Sequence, residues 1–282
     1  MWTDLNRPPL DADALRKALV RSEDDSDPRA FWRALDVVQE TGSTNADLLA
    51  RSAQSNCDRH VLLAEFQGSG RGRHSRVWVS PPRAQIAVSA LLTMPGSSTR
   101  DMGWLPLLTG VAVVDALRSA AKVRAELKWP NDVLIGGRKV AGILAEVAAT
   151  TPDPAVVVGI GINVSLTRDE LPVPHATSLI LENAEVSDRD TVVRAVLRAL
   201  AERWQQWHDA NWDVADLADA YRARCSTIGQ RVRAELPGGR ELVGIATDID
   251  PQGRVVIAPE DGSDRVAISA GDITHLRAVG AE

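Results

Sequence analysis

The chain has 282 residues, enough for one large domain or a large one with a small one, and enough to bury a sizeable core. Hydrophobic residues make up 44% and charged residues 25%, and the net charge is −6 from 32 basic and 38 acidic residues. That balance argues against nucleic acid as the main partner, because such binding is driven by phosphate neutralisation. It leaves room for a local basic pocket. Two cysteines, Cys57 and Cys225, with no CxxC pair, predict no disulfide framework and fit a reducing cytoplasm. The N-terminal stretch has no apolar h-region, and no charge-free apolar run of about 18 residues is read, so neither a signal peptide nor a membrane span is expected.

In chain order, residues 11–21 carry helical spacing at Leu15, Ala18 and Leu19, with an Asp at 11 or 13 placed to cap. Residues 22–29 are polar and acidic and read as a linker, so residues 1–30 are expected to form a helical appendage. From about Leu35 the pattern is mixed α/β. Residues 61–66 and 86–92 read as buried strands, and 105–121 as a helix. Residues 133–135 and 140–147 flank Gly136-Gly137, a hairpin signal, and 156–164 is another buried run. Residues 191–207 form an amphipathic helix, followed by a second over about 214–225. Beyond Cys225 come short alternating runs at 231–236, 241–249, 254–257 and 265–269. Turn signals separate them, at Pro237-Gly238-Gly239 for example, which predicts a small β-barrel. The expected division is 31–225 for a catalytic domain and 226–282 for the barrel.

The segment Gly68–Trp78 reads GSGRGRHSRVW. Its glycines let the backbone approach a ligand. Arg71, Arg73 and Arg76 offer planar forks suited to phosphate or carboxylate, and Trp78 offers a flat stacking face. It is not a P-loop, which needs GxxxxGK[ST], nor a GxGxxG dinucleotide fingerprint. Four further motifs stand around it. They are Thr41-Gly42-Ser43-Thr44-Asn45, Lys128-Trp129-Pro130-Asn131-Asp132, Arg138–Leu144 and Gly159-Ile160-Gly161-Ile162-Asn163-Val164.

These five motifs in this order resemble the biotin–protein ligase family over roughly residues 35–280. The resemblance implies an α+β chain: a class II aminoacyl-tRNA synthetase-like mixed β-sheet catalytic domain followed by a C-terminal SH3-like β-barrel. It implies ATP and Mg²⁺ as co-substrate and metal, and biotin as substrate, joined through biotinyl-5′-AMP. The acceptor it implies is a lysine of a biotin carboxyl carrier domain of an acyl-CoA or pyruvate carboxylase. By resemblance, Ser43, Thr44, Asn45, Gln67, Gly70, Arg71, Gly72, Arg73, Lys139 and Gly142 bind biotin. Arg71, Arg73, Arg76, Trp78, Lys128, Asn131, Lys139, Gly161 and Asn163 bind ATP. Lys139 and Arg73 are the catalytic candidates, and Asp132 the Mg²⁺ ligand.

The residues themselves agree with those roles. A buried ureido ring needs matched donors and acceptors. Joining two anions needs cations at the reacting atoms. A hard cation takes carboxylate and phosphate oxygens. Position 75, glycine in most of the family, is Ser75 here, and His74 stands where some members carry arginine. His60, His175, His208 and His275 lack metal-ligand spacing and read as structural or solvated. Two other readings stand beside this one. A lipoate or octanoate ligase shares the fold but has no ureido ring to hold. A biotin-responsive DNA-binding repressor needs a DNA-binding domain, for which the roughly 30 residues before Phe31 are too few. Nothing in the sequence sets an oligomeric state.

Overall fold

A computed structural model describes residues 7–20, 31–53, 57–236, 239–270 and 275–278. The linker read at 22–29 and the turn residues 237–238 lie outside the described residues. Two sheets organise the chain. The larger has seven strands in the order β1-β2-β3-β7-β6-β5-β4. These are β1 (Ala34–Val38), β2 (His60–Ala64), β3 (Gln85–Thr93), β4 (Ala125–Lys128), β5 (Asp132–Ile135), β6 (Arg138–Ala149) and β7 (Ala155–Asn163). Only β1 and β2 pair in parallel. The smaller sheet is antiparallel, with β8 (Arg231–Leu236), β9 (Arg240–Ile249), β10 (Val255–Pro259), β11 (Val266–Ile268) and β12 (His275–Ala278) in the order β11-β10-β9-β8-β12.

Alternation along the central strands decides what lies on each face. Ile86, Val88 and Ala90 of β3 lie on the same side as Val158, Ile160 and Ile162 of β7 and Ala141 and Ile143 of β6. Against that side packs α3 (Leu105–Ala116), with α4 (Arg189–Asp209) behind it. Helix α3 is buried nearly all round, which its sequence LPLLTGVAVVDA allows, and Pro106 sits in its first turn where no N–H is needed. It passes into a π-helical turn at Leu117–Ala121, closed by Lys122 in the left-handed region. Residues 101–121 are long and apolar enough to cross a membrane, although Asp101, Asp115 and Arg118 keep the run from being free of charge. That apolarity has another destination, since the helix is sandwiched between the sheet and α4. Asp188 caps α4 by accepting from Thr191 N at 2.8 Å.

The opposite face is covered only at one end. There α2 (Thr44–Ser52) places Leu48 against Leu91 and Val157. Beyond it, the face over β6 and β7 carries Gly142, Leu144, Gly159 and Gly161 and stays open.

The hairpin expected at Gly136-Gly137 is present. Both residues have positive φ (56° and 77°), as a two-residue type I′ loop requires, and Ile135 pairs Arg138. Strands β1, β4 and β12 carry too little alternation to be read from sequence.

The first segment is not a detached appendage. Asp11 caps α1 (Ala12–Leu19), and Leu10, Leu15 and Leu19 enter the main core. Arg7 forks onto Glu170 and reaches Ser165. That fork, more than any other effect, holds the Glu170 carboxyl down to about 2. Deeper in, Arg189 pairs with Glu65 at 2.7 Å, with side chains 6% and 3% exposed. Arg189 also donates to Pro8 O, and Glu65 accepts from Leu10 N. The smaller sheet is equally tied in. Trp129 Nε1 donates to Gly253 O and Trp104 Nε1 to Pro251 O. Both cysteines are free and buried, and burial pushes the Cys225 thiol up.

Two outcomes follow for this architecture. Arg189→Met strands a buried carboxylate and should cost about 3 kcal/mol or more in urea unfolding, whereas adding Glu65→Gln should restore a large part of it. The Arg7–Glu170 pair stabilises above the unfolded carboxyl value near 4.5 and is lost as pH falls towards 2. Arg7→Ala should therefore lower the melting temperature at pH 7 and erase the wild-type advantage by pH 2.

Candidate active site

The open face of the large sheet is the floor of a cavity of about 1140 Å³. Its floor is nearly free of side chains. Gly159 and Gly161 of β7 lie beside Gly142 and Leu144 of β6 and opposite Ser89 and Ala87 of β3. A Cβ at Gly161 would come within 2.6 Å of the Trp78 ring, and one at Gly142 within 3.1 Å. The indole therefore rests on bare backbone, and Trp78 Nε1 donates to Gln85 Oε1 to fix its angle. A Cβ at Gly159 would come within 2.2 Å of Asn45 Oδ1, so that glycine is the seat of Asn45.

A β-bulge sets the other end. Leu134 faces Lys139 while Val133 faces Ala141, so Val140 is the extra residue. Val140 and Ala141 both turn to the core, and Lys139 and Gly142, three apart, share the site face. From there Lys139 Nζ pairs with Asp132 and lies 5.4 Å from the Trp78 ring centroid.

The end nearer α2 is a polar network built on the uncharged side chains of Ser43, Thr44, Asn45 and Gln67. Ser43 caps α2. Gln67 Oε1 accepts from Thr44 N (2.8 Å) and Thr44 Oγ1 (3.0 Å). Ser89 Oγ lies within hydrogen-bonding range of Thr44 Oγ1 and Asn45 Oδ1. Asn45 Nδ2 donates to Leu144 O and Glu146 Oε2. The opposite end is cationic. Arg73, Arg76, Lys128 and Lys139 line it against Glu126 and Asp132, in a chain whose total charge is negative. Arg73 donates to Asn131 Oδ1 at 3.4 Å and to Ala270 O. Burial lowers the Arg73 guanidinium from its usual value, with Asp132 opposing and Arg76 adding to the shift. Asn131 braces the turn between β4 and β5 by bonding Ile143 O, and Asn163 Nδ2 donates to Thr177 O.

Every residue named from the sequence lines this cavity except Gly70. Gly70 instead closes the loop on itself. It accepts from Trp78 N at 2.8 Å, and a Cβ there would come within 2.3 Å of Trp78 O. Arg71 is not at the cationic end, because it reaches Glu146 beside Asn45. Asp132 stands alone as a metal candidate: among the described residues no three His, Cys, Asp or Glu gather.

The comparisons with known proteins agree with this geometry. The family model described as "Biotin/lipoate A/B protein ligase family" matches residues 37–163, and "Biotin protein ligase C terminal domain" matches residues 227–276. A biotin--[acetyl-CoA-carboxylase] ligase of Mycobacterium tuberculosis is 47% identical over 97% of this chain and 98% of its own length. The chain belongs to the biotin–protein ligase family. The bifunctional ligase/repressor BirA of Escherichia coli is 31% identical over 80% of this chain and 69% of its own. A biotin protein ligase from Aquifex aeolicus, solved in complex with biotin and ATP, superposes with a TM-score of 0.72. It is 26% identical, covering 88% of this chain and 100% of the other. The mixed sheet with its helices is the fold of these ligases, and the smaller sheet is their SH3-like C-terminal domain.

Several residues in or just behind the cavity wall escaped the sequence reading. Gln85 and Ser89 are the polar interruptions of the otherwise apolar β3, and that interruption was the available signal. Gly159 stood inside a motif already noted. Glu146 keeps the alternation of Gly142 and Leu144. The segment Pro172–Ala176 joins the wall because Lys139 N donates to His175 O, so His175 is a cavity residue. His208 stacks on Trp204 as a structural histidine, and the His275 side chain lies outside what is described. Ser226, Thr227, Val232 and Leu276 bring the C-terminal domain to the cavity edge.

Gly159→Ala should leave the melting temperature within a few degrees yet raise KM for the small substrate at least about tenfold, because Asn45 must move. Steady-state kinetics with a circular-dichroism melt checks both.

Proposed function

We propose that this ligase activates biotin with ATP to biotinyl-5′-AMP and transfers the acyl group to a lysine of a biotin carboxyl carrier domain. One observation carries this reading: a single cavity holds a neutral hydrogen-bonding end and a cationic end, separated by the Trp78–glycine floor. Its volume exceeds the roughly 300–1000 Å³ of an ordinary ligand pocket, which suits two substrates side by side.

Thr44, Gln67 and Ser43 offer the donors and acceptors that a ureido ring requires. Asn45, its amide already bonded to protein on both sides, shapes the pocket from behind. The aliphatic chain would lie against the Trp78 indole. Its carboxylate would then reach Lys139 Nζ, which offsets charge as the carboxylate oxygen attacks the α-phosphorus and pyrophosphate leaves. Arg73 and Arg76 face the phosphates, and Lys128 and Asn131 stand at the same end. Asn163 supports Thr177 and the wall segment behind the nucleotide. In the second step the carrier lysine's neutral ε-amine attacks the acyl carbon and AMP leaves.

Asp132 fits Mg²⁺ in the manner of that ion, which takes one or two protein carboxylates and completes its shell with phosphate oxygens and water. When bound there, Mg²⁺ would neutralise phosphate charge, and Lys139 would exchange Asp132 for the substrate anions. The acceptor is a carrier domain of an acyl-CoA or pyruvate carboxylase. We divide the chain functionally at about residue 226, with the C-terminal domain forming one edge of the site.

Exchange of labelled pyrophosphate into ATP should require biotin and should not occur with lipoate. Exchange with lipoate alone would replace this reading by the lipoate ligase one. Lys139→Ala should keep its melting curve and lose adenylate formation by about 10²-fold or more. Near-normal turnover would remove Lys139 from the chemistry.

A further inference from the structure

Glu146 is a carboxylate that the ligation chemistry does not use. It sits on β6 in step with Gly142 and Leu144, on the side of the strand that approaches Asn45 of α2. Its Oε2 has two partners of different kinds. Asn45 Nδ2 donates to it at 2.8 Å, and Arg71 Nη2 lies 3.3 Å away. Asn45 is 4% exposed and belongs to the ring pocket. Arg71 is 44% exposed in its side chain and belongs to the glycine–arginine loop. One carboxylate therefore joins the pocket wall to the loop above it.

The loop is built as an arm. Its base is fastened by Gly68 N to Thr41 O and Ser69 N to Gly42 O, both 2.9 Å. The arm folds on itself through Trp78 N to Gly70 O and Gly72 N to Arg76 O. Arg71 ties the arm to Glu146, and Arg73 ties it to Asn131 and Ala270. Between those two ties a second cavity of about 390 Å³ opens, with Leu144 and Glu146 on one side and the arm on the other. Water entering there would meet the adenylate from the side.

We infer that Glu146 is a positioning residue, a latch that holds Arg71 and so keeps the loop closed over the acyl adenylate until the carrier arrives. It makes no contact with reacting atoms. Its effect falls on how much intermediate is lost to hydrolysis, which forms biotin and AMP from the adenylate and one water. This rests on the two-step reading proposed above.

Glu146→Gln separates the latch from a purely structural role. The amide oxygen still accepts from Asn45, so the pocket wall stands, while the charge that holds Arg71 is gone. Biotin-dependent pyrophosphate exchange should stay within about threefold of wild type. Release of AMP without carrier, measured with pyrophosphatase present, should rise about threefold to fivefold, the range of a partly exposed ion pair. Arg71→Gln should raise that release similarly, and the double variant no further, because one interaction has been cut twice. Added salt should raise release from the wild type and leave the Glu146→Gln variant flat. Unchanged release in Glu146→Gln with exchange intact overturns the latch and leaves the ligase reading standing. So do additive effects in the double variant. Absence of biotin-dependent exchange in the wild type overturns the ligase reading instead.

Discussion

The indole of Trp78 lies on bare main chain at Gly142 and Gly161, and the rest of the site is arranged around that contact. A flat ring can sit on a β-sheet only where the strands beneath carry no side chains. Here two neighbouring strands, β6 and β7, carry cross-strand paired glycines at the same level. The third glycine, Gly159, gives the same freedom to Asn45 one level further along. The floor is thereby divided in two: a neutral polar end under α2 and a cationic end beyond the indole. Two substrates of opposite character, one a neutral ring and one a polyanion, can meet over such a floor.

That contact needs support from both sides. Beneath the sheet, α3 and α4 fill the other face with apolar side chains, so the open face carries no duty in the core. At its edge the bulge at Val140 lets Lys139 and Gly142 point the same way, which plain alternation forbids. Gln85 fixes the indole from β3, and its carbonyl accepts from Arg189 at 3.4 Å. The buried Arg189–Glu65 pair also grips Pro8 and Leu10. The N-terminal segment is thus linked to the back wall of the site through charge held out of water, where each partner depends on the other.

Much of this was legible in the sequence. Long elements with strong patterns, the buried runs of β3 and β7, α4, and the Gly136-Gly137 hairpin, declare themselves because one period dominates them. Strands β1 and β4 do not, since four or five residues such as AELK hold too little alternation. The helix at 105–121 was legible as a helix, although burial between two layers asks for the same apolarity as a bilayer. The site motifs were readable as a set, and of the residues given a site role in them all but Gly70 line one cavity. What no linear pattern conveyed was orientation. Arg71 and Arg73 are two residues apart yet reach different partners, Glu146 beside Asn45 and Asn131 in the turn between β4 and β5. Asn45 reads as a ligand contact, and the sequence does not convey that its amide also bonds Leu144 O, Glu146 and Ser89.

On the proposed reading, one floor holds both substrates in a fixed direction, with Trp78 between them. A crystal structure of the protein with a non-hydrolysable biotinyl-adenylate analogue and Mg²⁺ tests it most directly. The ureido ring should lie against Thr44 and Gln67, the aliphatic chain along Trp78, and the phosphate between Lys139 and Arg73. A ring bound at the Lys139 end, or an adenylate seated outside the glycine floor, would contradict it.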